Sequence, residues 1–191
     1  MDMNVPNKGE KTKYRLAQSM IECMKTTAVD NITVKQITAN CGLTRQTFYR
    51  NFIDKFELIN WYFDKLLAKS CEHMGMGKTV YDALVKKFTY MQEEHIFFAA
   101  AFRYDSQNSL RQHDFELILE FYENLILKKT GRYPDETIHY ILEMYCQSSI
   151  YMTVKWVLGD MKCTPAGLAK ILIEGMPEKL SLIFKELEIL L

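Results

Sequence analysis

Arginine, glutamine, threonine and tyrosine crowd into one short stretch, Arg45-Gln46-Thr47-Phe48-Tyr49-Arg50. These side chains recognise polar edges rather than make or break bonds. Arginine can donate a bidentate pair to guanine, glutamine can pair with adenine, and a threonine methyl can touch the thymine methyl. Tyrosine hydroxyls and lysine ammonium groups suit phosphate oxygens, which fix register without reading sequence. On a helical wheel with Phe48 at the centre of the inner face, Phe52 lies one turn on and Leu43 closes the entry to the same core. Gln46 and Arg50 then fall on the opposite side, with Thr47 and Tyr49 flanking them and Arg45 at the helix start. Such a face suits the major groove of DNA. It suits the solvated side of an ordinary helix bundle equally well, and the wheel alone leaves both readings open.

Nothing else in the chain gathers into a reactive set. There is no HExxH, no Gly-rich phosphate loop and no GxSxG. The four histidines are separated and join no recognisable catalytic group, so the expectation is no enzyme, no cofactor and no metal. Cys71 and His73 are neighbouring ligand types without a second pair, which falls short of a zinc site. Five scattered cysteines without CxxC suit reduced thiols in a cytoplasm, and a thiol sensor on Cys71 or Cys146 is one minor alternative. Met1 to Asn7 is polar and reads as no signal peptide. The longest apolar run, Ile96 to Phe102, is far shorter than the ~20 residues that span a bilayer, so no membrane partner is expected.

Overall net charge is zero, but its distribution is uneven: residues 1–60 carry nine basic side chains against six acidic ones. A basic end on an acidic body is a modest electrostatic footprint of a nucleic-acid module.

The elements that must position these residues read as helices throughout. Lys11 to Thr26 has apolar positions at helical spacing, and Thr33 starts a short helix that runs through Asn40. Cys41-Gly42-Leu43 forms a turn in which Gly42 can take a positive φ, and Thr44 caps the next short helix, ending near Phe52. Asp54 caps a third, running to about Glu72, and Gly75 and Gly77 mark a linker. Longer helical patterns follow over Val80–Phe102, Leu110–Lys129, Glu136–Leu158 and Ala166–Leu190, the last bent at Pro177. No segment sustains strand alternation. The fold class is all-α, with an N-terminal three-helix helix-turn-helix domain over 1–58 and a larger helical domain over 59–191.

The string ITVKQITANCGLTRQTFYRNFIDKFEL decides between the two readings of the Arg45 face. It resembles the DNA-binding domain of the TetR/AcrR family of bacterial transcription regulators, from about Tyr14 to Trp61. The match covers Thr-Val, the Ala-Gly-Val-Ser turn, a Thr-aromatic-Tyr triplet and the closing aromatic residue before Lys-Glu-Leu. Thr38 and Cys41 stand where the pattern has alanine, and Phe56 lies between Lys55 and Glu57. The resemblance implies that Arg45, Gln46 and Thr47 meet bases and that Tyr49 and Lys55 grip phosphates. It further implies that Lys35 contacts backbone or a base and that Thr33 is placed for a phosphate. Thr44 and Arg50 complete the candidate set, although Arg50 has a solvent-facing alternative. Within the family, TRQTFYRNF followed by DK, then INWYF and a late KWVLGD…TPAGLA, is similar to the subgroup that includes the dihydroxyacetone-kinase-operon activator. That likeness keeps an activator, controlled by a protein partner or a small molecule, open beside a ligand-responsive repressor; a helical interaction module without DNA binding is the other alternative.

One recognition helix reads few base pairs, so a homodimer on a palindromic operator is expected. The last two long helices are apolar on more than one face and are the expected dimer elements, in a four-helix bundle. The effector, a small molecule or a protein, is less specified. Phe97, Phe98, Phe102, Tyr104, Phe115, Phe121 and Tyr122, with Trp61, Tyr62 and Phe63, line a hydrophobic pocket or form plain aromatic core. His95, Arg103 and His113 are the polar groups that could orient a ligand there.

Overall fold

The computed structural model describes residues 8–71, 79–103, 110–159 and 161–190. The helices in order are α1 (Lys8–Met24), α2 (Val34–Asn40), α3 (Arg45–Tyr49), α4 (Lys55–Cys71) and α5 (Val80–Glu93). They continue with α6 (His95–Arg103), α7 (Leu110–Thr130), α8 (Glu136–Leu158), α9 (Pro165–Glu174) and α10 (Glu178–Glu186). A single 3-10 turn, Val29–Asn31, joins α1 to α2, and no strand occurs among the described residues. The architecture is all-α.

The chain forms two compact units: Met1–Lys65 with Ile96–Ser109, and Leu66–His95 with Leu110–Leu191. In the first, α1 buries Leu16, Ala17, Met20 and Ile21, spaced to fall on one helical face. Ile37 of α2, Phe48 of α3, Phe52, and Leu58 and Ile59 of α4 are buried with them. Each of the larger side chains among them stabilises the fold by ~1.5–3 kcal/mol relative to leaving it in water. Helices α2 and α3 span only seven and five residues, too short to persist alone, so this burial and their caps must hold them.

The second unit has a larger apolar core. Tyr122, Leu125 and Ile126 of α7, Leu142, Tyr145 and Cys146 of α8, and Leu180 and Phe184 of α10 cluster with Val80 of α5. Two bonds fasten its C-terminal segment: the Val80 and Tyr81 amides donate to the Ile189 and Leu190 carbonyls at 2.6 and 3.4 Å. Trp156 donates its indole N–H to the Cys163 carbonyl at 2.8 Å and lies 5.7 Å from Phe88.

Helix bounds differ from the sequence reading in two places. The expected Val80–Phe102 helix is two helices, α5 and α6, because the backbone turns at Glu94 (φ −99°, ψ 31°). No glycine or proline marks that break. The expected Ala166–Leu190 helix is also two, because Gly175-Met176-Pro177 ends one and Pro177 opens the next at φ −53°. A proline interior to a helix would lose a hydrogen bond and clash, whereas at a helix start it does neither. The Gly75–Gly77 linker, the Ser106–Asn108 break, Tyr104 and His73 lie outside the described residues.

Candidate nucleic-acid interface

Local chemistry fixes both short helices at their first turn. Thr33 caps α2 with its side chain accepting the Gln36 amide at 3.2 Å, and Gln36 Oε1 in return accepts the Thr33 amide at 2.8 Å. Thr44 caps α3 by accepting the Thr47 amide at 3.1 Å, and its hydroxyl lies 2.9 Å from that of Thr47. Each such cap is worth about 1 kcal/mol. Between the helices Gly42 takes φ +64°, and a Cβ added there would meet the Arg15 guanidinium at 3.5 Å. A buried polar link ties α1 to α2: Ser19 Oγ donates to the Ile37 carbonyl at 2.6 Å and accepts from Asn40 Nδ2 at 3.1 Å.

Phe48 is fully buried and sets the rotation of α3. Opposite it Arg45, Gln46, Tyr49 and Arg50 are exposed, with Tyr49 59% accessible and its ring 5.5 Å from Phe48. Thr44, Thr33 and Lys35 are exposed as well, and Thr47 is half-buried. The hydroxyls of Thr33, Thr44 and Thr47 are engaged in capping contacts, so what Thr47 offers outward is chiefly its methyl group. The C-terminal end of α3 is closed by Asn51, whose side-chain amide donates to the Thr47 carbonyl at 2.7 Å. Sequence reasoning gave Asn51 no role.

Lys55 is the candidate whose surroundings were least legible. Its ammonium donates to the carbonyls of Val29, Asp30 and Ile32 at 2.7, 2.7 and 2.9 Å. It also lies 5.1 Å from the Phe56 ring centre. Burial lowers its pKa from the ordinary lysine value, opposed by the Asp30 and Asp54 carboxylates. Beside it Asp54 Oδ1 accepts the Phe56 and Glu57 amides at 2.8 Å each and caps α4, as the sequence suggested.

The effector candidates are divided between the two units. Trp61 packs edge-on to Tyr14 and Phe52 at 5.1 and 5.7 Å, with the Lys13 and Lys65 ammoniums over its ring. It therefore belongs to the small-helix core. Tyr62, Phe97, Phe98 and Phe102 do come together, through ring contacts of 5.0 to 6.1 Å, and all four are buried; Phe63 joins them. Arg103 is exposed. His95 and Phe121 belong to the second unit and take other partners there. His95 Nε2 is 3.1 Å from the Val157 carbonyl, and Phe121 lies against Tyr122 at 5.7 Å. His113 and Phe115 are half-buried on α7.

The second unit holds two features the sequence did not announce. Lys87 of α5 donates to both carboxylate oxygens of Asp114 of α7, at 2.9 and 3.1 Å, with Asp114 fully buried. Burial raises the Asp114 pKa from its ordinary value, with the Lys87 ammonium opposing. A cavity of about 370 Å³ is lined by Arg111, Gln147, Ile150, Tyr151, Val154 and Lys155, none of them a predicted ligand residue. Cys146 is buried and its thiol is pushed up to about 12, chiefly by burial, which leaves it unsuited to redox sensing. The Cys71 side chain lies outside the described residues. Among the described residues no group of three or more metal-ligating side chains occurs, and no helix is long and apolar enough to cross a membrane.

Residues 78–178, just over half the chain, match a TetR C-terminal family described as "transcriptional regulator C-terminal region". No curated protein matches. Among solved structures, the dihydroxyacetone kinase operon activator DhaS superposes with a TM-score of 0.63 at 19% identity, covering 93% of this chain and 96% of that one. NalD of Pseudomonas aeruginosa, the secondary repressor of the MexAB-OprM multidrug efflux pump, gives 0.58 at 16% identity, covering 87% and 96%. Thermus thermophilus FadR, a TetR-family repressor solved in complex with lauroyl-CoA, gives 0.54 at 15% identity, covering 86% and 95%. At these identities the likeness concerns the fold.

Proposed function

The chain belongs to the TetR family of transcriptional regulators, and from that premise we propose that it is a cytoplasmic homodimer that reads a palindromic operator in double-stranded DNA. The carrying observation is the exposed Arg45, Gln46, Tyr49 and Arg50 on a helix locked by the Thr44 cap and the buried Phe48. Arg45, Gln46 and the Thr47 methyl meet base edges, and Tyr49, Lys35 and Arg50 meet phosphates. Thr33 and Thr44, with hydroxyls held in caps, act chiefly by setting the helix starts. On this reading residues 1–58 carry DNA binding and 59–191 carry dimerisation and effector binding.

Dimerisation runs through α8 with α9 and α10, the elements of the last two long helical patterns. Tyr140, Met144 and Tyr151 of α8, Ile171 of α9 and Leu182 of α10 are large apolar side chains left exposed, which supports a partner helix pair there. Helix α4 leaves the first unit at Lys65 and continues into the second, so it is the covalent route by which an effector changes the spacing of two reading heads. The effector, a small molecule or a protein, acts only through its differential affinity for the two spacings. Repression relieved by ligand is the primary reading. Activation, as in the subgroup of the dihydroxyacetone-kinase-operon activator, is the second, and the DhaS superposition favours keeping it.

The test is enrichment of duplexes from random sequence by the full-length protein, followed by footprinting. The expected result is an inverted repeat whose half-sites lie one helical turn, or a multiple, apart. Enrichment of no sequence above background would contradict operator reading.

A further inference from the structure

The ammonium of Lys55 has three N–H donors and no acceptor capacity. All three are directed at main-chain carbonyls, those of Val29, Asp30 and Ile32. Val29 and Asp30 lie in the 3-10 turn that leads into α2 and Ile32 closes it, with the Val29 carbonyl also accepting the Ile32 amide at 3.1 Å. Ile32 directly precedes Thr33, the N-cap of α2, and Lys55 is the first residue of α4. One side chain therefore ties the start of α4 to the chain entering the helix-turn-helix. To hold a phosphate as well, the ammonium must surrender at least one of these three bonds.

We propose that Lys55 is a positioning residue, the clamp that fixes α2 and thereby α3 to the start of α4, and is not a contact to DNA phosphate. This rests on the reading of the first unit as a DNA-binding head. It makes a distinction from Lys35, which is exposed on α2 and retains the phosphate role. A phosphate contact contributes a counterion to the salt dependence of binding, whereas a clamp contributes order to residues 29–34 whether or not DNA is present.

Two measurements on the full-length protein separate these roles. The first uses unmodified protein: amine acetylation followed by mass spectrometry, with and without a duplex enriched from random sequence. The clamp predicts that Lys55 reacts at least tenfold more slowly than Lys35 without DNA and changes little when DNA is added, while Lys35 becomes protected. Lys55 reacting as fast as Lys35 and gaining protection only with DNA would overturn the proposal.

The second compares the variants Lys55→Met, Lys55→Arg and Lys35→Gln. Lys35→Gln should reduce the log–log salt slope by about 0.9, the value for one phosphate. Lys55→Met should leave that slope unchanged, lower the Tm and speed amide exchange over residues 29–34. Lys55→Arg should restore neither, because a planar guanidinium fork cannot converge on three carbonyls as an ammonium does. A slope reduced by about 0.9 in Lys55→Met and recovered in Lys55→Arg, with exchange unaltered, would overturn the clamp. If the DNA-binding reading itself fails, no protein shows salt-dependent binding, yet acetylation and exchange without DNA still decide whether Lys55 is held.

Discussion

Two lysines in two units show how differently the halves of this molecule satisfy a charge. Lys55 of the first unit sets its ammonium on three backbone carbonyls and meets no carboxylate in that bond set. Lys87 of the second reaches a fully buried carboxylate, Asp114, and bonds both of its oxygens. The first arrangement ties a short turn to the start of α4, while Arg45, Gln46 and Tyr49 of α3 stay exposed. The second closes a charge inside an apolar core, where attraction must offset two desolvation penalties. A reading head made of seven- and five-residue helices needs local ties to backbone. A bundle of long helices has apolar area enough to tolerate a buried pair.

The largest expected effect breaks that comparison on the side of the second unit. Asp114→Ala strands the Lys87 ammonium without its carboxylate and should destabilise by about 3–5 kcal/mol in denaturant unfolding. The double substitution Lys87→Met with Asp114→Leu should recover most of the loss, since apolar replacement of a buried pair is often neutral or better. Recovery of nothing would mean the pair is needed for more than charge balance.

Phe48→Ala attacks the first unit at its anchor and should cost about 3–5 kcal/mol, the range for a buried Phe. Amide exchange over α3 should rise with it, while exchange in α7 and α8 reports whether the loss is confined. Thr44→Ala removes only the cap and should cost about 1 kcal/mol, read as a small shift in unfolding midpoint with α3 fraying first. The smallest effect is chemical. Cys146, with its thiol pushed up to about 12, should resist alkylation at pH 8 in native protein, while the half-buried Cys41 and Cys163 react. Rapid alkylation of Cys146 would show that the second core opens far more readily than its packing implies.

What could be read in the sequence followed the range of the forces. Thr33, Thr44 and Asp54 announce caps within three residues of the amides they bind, and Gly42 announces a turn through its own backbone. The opposition of Phe48 to Gln46 and Arg50 follows from helical geometry alone, and the exposed face is where the wheel put it. Lys55 was recognised as notable, but its carbonyl partners lie 23 to 26 residues back in the chain, beyond any local pattern. The Lys87–Asp114 pair spans 27 residues and looks in sequence like two ordinary surface charges. The break at Glu94 had no glycine or proline to signal it. The aromatic residues were visible as a composition, yet composition does not say which rings meet. Trp61 packs with Tyr14 and Phe52, and Phe121 with Tyr122.

In the proposed function, the exposed face of α3 is what discriminates between DNA sequences. The most direct measurement is the ratio of affinities for the enriched duplex and a scrambled duplex of equal length and salt, for wild-type protein and for Arg45→Ala and Gln46→Ala. Each substitution should lower that ratio by about 1–3 kcal/mol, roughly five- to 160-fold, with folding stability changed by less than about 0.5 kcal/mol. A ratio unchanged in both variants, with the wild type still selective, would contradict the reading of Arg45 and Gln46 as the residues that see the bases.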